Sequence, residues 1–145
     1  MEAHNNLSIK KEFAVTRLIL SILAGFIITA ALSTAVDLLL QMAKIFPPYG
    51  EPFFDPGLVL LASAYRAVFQ IFGAYVAATI AKDKAKKAIW TIGILGTIFW
   101  LGGTLLKPQA GPIWYGLLGA ALSLPTALTG GKLYERRVRR QQESL

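Results

Sequence analysis

The chain of 145 residues is 54% hydrophobic and only 16% charged, with a mean hydropathy of +0.52. Soluble domains carry about a quarter charged residues, so an ordinary soluble globular fold is disfavoured. Cysteine is absent and His4 is the single histidine; this removes disulfides and thiolate sites and leaves no ligand set for haem or catalytic zinc, so no metal and no cofactor is expected.

The apolar residues fall into four blocks, each close to the roughly 20 residues that a helix needs to cross about 30 Å of hydrocarbon. Residues 1–14 read as a polar N-terminal tail, and the first span covers 15–43, with no charge between Leu18 and Val36. Lys10, Lys11 and Arg17, the apolar run after them and Ser33-Thr34-Ala35 imitate a secretory signal. Hydrophobicity nevertheless continues through Leu38, Leu39, Leu40 and Met42, so the segment reads as a retained helix.

The loop from Lys44 to Pro56 holds four prolines, which forbid helix and favour a stiff extended path. Phe46, Tyr49, Phe53 and Phe54 suit the interfacial zone, so the loop reads as an ordered cap on the headgroups or, more sharply, as a lid over a pocket. The second span, 57–81, is interrupted only by Arg66; the third, 88–106, carries no charge; the fourth, 112–131, opens on Pro112 and contains Pro125, where a kink is expected. Trp114 and Tyr115 read as an aromatic belt pair. Strands are not a realistic alternative, because the blocks are too long and lack period-2 alternation.

Basic residues set the orientation. Lys10, Lys11 and Arg17 precede the first span, Lys82, Lys84, Lys86 and Lys87 join the second to the third, and Lys132, Arg136, Arg137, Arg139 and Arg140 follow the fourth. The alternate loops hold one each, Lys44 and Lys107, so the positive-inside rule puts both termini in the cytoplasm. The expected fold is an all-α membrane protein of four transmembrane helices in an antiparallel bundle, one domain over 15–134 with a basic cytoplasmic tail at 135–145. In this setting the net charge of +7 points to anionic lipid at the cytoplasmic face, contacted by the five basic residues from Lys132 to Arg140, and not to nucleic acid.

Ionisable groups at membrane depth are the first functional suspects, because an uncompensated charge there costs at least ~2.5 kcal/mol. Asp37 lies about 10 Å below the outer end of the first helix and Arg66 about 15 Å below that of the second, a difference an arginine side chain can bridge. Ala30, Ser33, Thr34, Asp37 and Gln41 form one small, polar stripe, and Ala62, Ser63, Arg66, Gln70, Gly73 and Ala77 a matching one. Lipid offers no hydrogen bonds and small residues permit close approach, so the stripes are expected to face each other. The candidate intramembrane set is Asp37, Arg66, Gln70, Tyr65, Ser33 and Thr34, either as a register-fixing pair or as a protonatable or substrate site. Glycines and small residues on helices three and four read as packing contacts. No serine–histidine arrangement, carboxylate cluster or phosphate loop is present in the sequence, so no catalytic residue is named and an enzyme is not expected.

The stretches Leu32-Ser-Thr-Ala-Val-Asp37, Phe46-Pro-Pro-Tyr-Gly50, Ala64-Tyr-Arg66, Gly73-Ala-Tyr-Val76 and Gly111-Pro-Ile-Trp-Tyr115 together resemble a group of small uncharacterised bacterial four-span integral membrane proteins, over roughly residues 15–131. The resemblance implies a multi-pass protein of the bacterial inner (plasma) membrane and carries no activity with it. Small multidrug transporters are also short four-span proteins with a carboxylate in the first helix, but a plausible arginine partner and a one-sided charge bias set this chain apart from them. The expected function is a non-enzymatic accessory, structural or interaction subunit, as a homo-oligomer or within a larger membrane complex. The alternative is a small-solute or proton-coupled transporter using Asp37 and Arg66.

Overall fold

The computed structural model describes all residues 1–145 and is entirely helical: α1 (Glu2–Met42), α2 (Pro56–Ala81), one turn of 3-10 helix (Lys82–Lys84), α3 (Ala85–Leu106) and α4 (Ile113–Glu143). Three helical stretches are long and apolar enough to cross a membrane: Glu2–Met42, Pro56–Leu106 and Ile113–Glu143. This corrects the expectation of four separate spans. The segment between the second and third blocks, Lys82-Asp-Lys-Ala-Lys-Lys87, contains neither glycine nor proline to end a helix. It therefore stays helical instead of opening into a loop, and Lys82, at φ +50° and ψ −108°, reverses the chain. The two arms fold back on each other: Ala77 and Ala78 share a buried cluster with Ala85, Ile89 and Ile92.

Both ends of the chain are helical. No glycine or proline occurs before Gly25 or after Gly131, so α1 begins at Glu2 and α4 continues to Glu143. Between Met42 and Pro56 the prolines do what their chemistry requires, and α2 restarts where Asp55 caps it: Leu58 N donates to Asp55 Oδ1 at 2.9 Å, with Pro56 in the first turn. Pro112 is the N-cap of α4.

Packing is the reverse of that in a soluble bundle. Ala62, Ala74, Ala77, Ala78, Ala88 and Ala127 are buried, while Leu23, Ile27, Phe72, Ile98, Phe99 and Leu117 are exposed. Small residues inside and large apolar ones outside suit a lipid surround, where contact energy comes from close backbone approach. The α1–α2 crossing illustrates it: a Cβ on Gly73 would stand 2.6 Å from Gly25 O, and Thr29 Oγ1 donates across the gap to Phe69 O at 3.3 Å.

The bundle has two chemically distinct ends. At one, Arg17 Nε donates to Ile80 O (2.8 Å) and Arg137 Nη1 to the Tyr75 hydroxyl (2.6 Å), bringing the Arg17 turn of α1, the end of α2 and the last turns of α4 together with the lysine-rich turn. At the other, Phe53 N donates to Ala110 O at 3.0 Å, tying the proline-rich loop to the loop before α4.

Candidate functional site: a polar cluster beneath a capped cavity

Asp37 lies five residues before the end of α1 and Arg66 ten residues into α2, so the arginine starts about 7 Å deeper and reaches outward. Arg66 Nη2 meets Asp37 Oδ2 at 2.6 Å, the single salt bridge in the protein. The second carboxylate oxygen accepts from the Tyr65 hydroxyl, and Arg66 Nη1 donates to the Tyr115 hydroxyl of α4. The guanidinium carbon lies 5.9 Å from the centroids of both the Tyr65 and Tyr115 rings, a cation–π arrangement on two sides. Trp100 of α3 completes the set by packing edge-on against Tyr115, with centroids 5.0 Å apart. Each of the four helices thus supplies one side chain or more to a single cluster.

The expected facing of Asp37 and Arg66 is what the structure contains, with side chains 14% and 29% exposed. Tyr65 belongs with them. Gln70 lies one turn deeper and donates to Ser123 O at 3.4 Å, bridging α2 to α4 instead of joining the pair. Ser33 lines a neighbouring cavity without bonding to the pair, and Thr34 is exposed on the outside of α1. The stripe on α1 is steeper than expected because the helices cross through Ser21, Gly25 and Thr29, so the contact row follows i, i+4 steps to Ser33, Asp37 and Gln41. Lys132, Arg136, Arg137, Arg139 and Arg140 are all exposed on the last turns of α4, and the hydrogen bond to Tyr75 raises the pKa of Arg137 above its ordinary value.

Two site residues were not singled out in the sequence. Tyr115 reads as an interfacial aromatic beside Trp114, yet it turns inward while Trp114 stays 41% exposed. The signal was its i, i+4, i+8 relation to Gly119 and Ser123, both buried. Trp100 had none, because its seat is made by a glycine on another helix: a Cβ on Gly119 would collide with the Trp100 ring, with 2.6 Å to Cε3.

Above the cluster lies a cavity of about 550 Å³ whose floor includes Asp37, Arg66, Trp100 and Tyr115. Its roof is the proline-rich loop. Phe46 is buried, stacks edge-on with Phe53 at 4.9 Å and approaches the Tyr65 ring at 6.5 Å. The loop covers this cavity, as the lid reading requires. Arg66 carries five N–H donors; two reach Asp37 and Tyr115, and no other protein acceptor engages the remaining three. Chemically, the site can hold helices together and present donors to a polar group, while each oxygen of the carboxylate already accepts one hydrogen bond. No family model matches the chain, and no curated protein or solved structure matches it either.

Proposed function

We propose that the chain is a non-enzymatic, four-pass membrane protein that serves as an accessory or interaction subunit, its outer half pinned by the Asp37 and Arg66 pair. In this reading the stretch Pro56–Leu106 crosses the bilayer twice, once as α2 and once as α3. The lysine-rich turn at Lys82, Arg17 of α1 and the basic end of α4 share one end of the bundle, which supports a cytoplasmic location for both termini under the positive-inside rule. The five basic side chains from Lys132 to Arg140 then meet anionic lipid at that face, each contributing about 1 kcal/mol. A bacterial inner membrane fits the sequence resemblance.

The observation that carries the structural role is the engagement of Asp37 through both oxygens, one by Arg66 and one by Tyr65, with Arg66 tying the same cluster to α4. A second reading, a small-solute or proton-coupled transporter, is favoured by the position of Asp37 and Arg66 on a cavity wall. The two readings separate in cells. In the first, Asp37→Asn with Arg66 intact lowers the amount of inserted protein, and adding Arg66→Gln restores it. Normal accumulation of Asp37→Asn with loss of solute or proton uptake would replace the first reading by the second.

A further inference from the structure

A second cavity, of about 590 Å³, lies deeper in the bundle between α1 and α3, with Arg66 and Gln70 of α2 on its floor. Both volumes fall within the roughly 300–1,000 Å³ of ordinary ligand sites. The deeper cavity is walled chiefly by apolar side chains such as Ile22, Phe26, Leu95 and Leu122, and its rim residues Leu23, Ile27 and Phe99 are exposed on the surface that would face lipid. The upper cavity lies under the proline-rich, aromatic lid and carries the charged side chains of Asp37, Glu51, Arg66 and Lys107 on its wall. Arg66, Phe99 and Trp100 line both, so the two spaces meet at one partition made of a cation and two aromatic rings.

A ligand occupying both spaces needs an apolar chain below and a polar head above. The charges lining the upper cavity decide the head: Asp37 and Glu51 against Arg66 and Lys107, two of each sign. With Asp37 and Arg66 paired, Glu51 and Lys107 remain, both exposed and neither in a salt bridge. An anionic head would find a cation matched by an unsatisfied carboxylate, whereas a head bearing both phosphate and ammonium answers each. We propose that the two cavities form one binding site for a zwitterionic phospholipid, its phosphate served by Lys107 and the spare donors of Arg66, its ammonium by Glu51, and an acyl chain lodged between α1 and α3. This rests on the membrane-spanning reading above but does not need the pair to be structural.

Trp100 reports on the partition. The test uses the full chain carrying Trp90→Phe and Trp114→Phe, in nanodiscs of phosphatidylglycerol doped with phosphatidylcholine brominated on its acyl chains. Brominated phosphatidylcholine is expected to quench Trp100 saturably, at a mole fraction about tenfold below that needed by brominated phosphatidylglycerol. Ala67→Phe, which fills the lower cavity, and Glu51→Gln/Lys107→Gln, on the exposed loops, should each raise the half-saturating fraction about tenfold. Glycerophosphocholine, a head without chains, should not displace the lipid. Equal quenching by the two lipids, indifference to the loop variant in a normally inserted protein, or displacement by glycerophosphocholine would each overturn the site. Failure of the parent chain to insert would instead overturn the membrane reading beneath it.

Discussion

Arg66→Gln is the perturbation whose cost can be worked from the structure. It removes the 2.6 Å contact to Asp37, the bond to Tyr115 and two cation–π contacts, and leaves a carboxylate only 14% exposed with Tyr65 alone. Breaking a buried pair on one side costs about 3–5 kcal/mol. Because Arg66 itself is 29% exposed, the lower bound of about 3 kcal/mol applies, roughly a hundredfold shift in the folding equilibrium. Asp37→Asn/Arg66→Gln removes both charges and leaves two amides able to bond each other, so it should recover about 2 kcal/mol of that loss. Reversible unfolding in mixed detergent–SDS micelles, read by helical circular dichroism, measures Arg66→Gln, Asp37→Asn and the double variant against the parent. If the losses of the single variants simply add in the double variant, the side chains do not depend on each other and the reasoning fails.

Three further outcomes follow from the packing and the ends. Gly73→Ala places a methyl group 2.6 Å from Gly25 O, a backbone atom that cannot swing away, and should cost about 1–3 kcal/mol in the same unfolding assay; an unchanged midpoint would mean that α1 and α2 do not cross there. Since the chain has no cysteine of its own, Phe53→Cys/Ala110→Cys should crosslink rapidly with a short bifunctional thiol reagent, and slow crosslinking would show that the lid is not held against the loop before α4. Single cysteines at Ala3 and Ser144 should react with an impermeant maleimide only after the cytoplasmic face is opened, and one at Glu51 should react from outside; labelling of all three from one side would refute the four-pass orientation.

The helical class, the polar pair and the aromatic lid were legible in the sequence because each depends on local pattern: long apolar runs, two isolated charges, and prolines clustered between runs. The hairpin of α2 and α3 was less so. Its turn has the composition of a charged loop, yet helix-forming residues keep it wound, and only Lys82 takes a positive φ. The depth of Asp37 and Arg66 followed from counting residues, whereas Tyr115 and Trp100 depended on which face α3 and α4 turn inward, a property set by glycines on the opposing helix. Thr34 illustrates the same limit: spacing placed it in the polar stripe, and the i, i+4 contact row through Gly25, Thr29 and Ser33 left it exposed.

The most direct measurement is the separation of the two charged groups in a bilayer. With ¹⁵N-labelled arginine and ¹³C-carboxyl-labelled aspartate, rotational-echo double resonance on the reconstituted chain should give a dipolar coupling appropriate to a guanidinium nitrogen in hydrogen-bonding contact with a carboxylate, as the 2.6 Å approach of Arg66 Nη2 to Asp37 Oδ2 requires, and Arg66→Gln should abolish it. A parent chain with no such coupling would contradict the pinned bundle on which the functional reading stands.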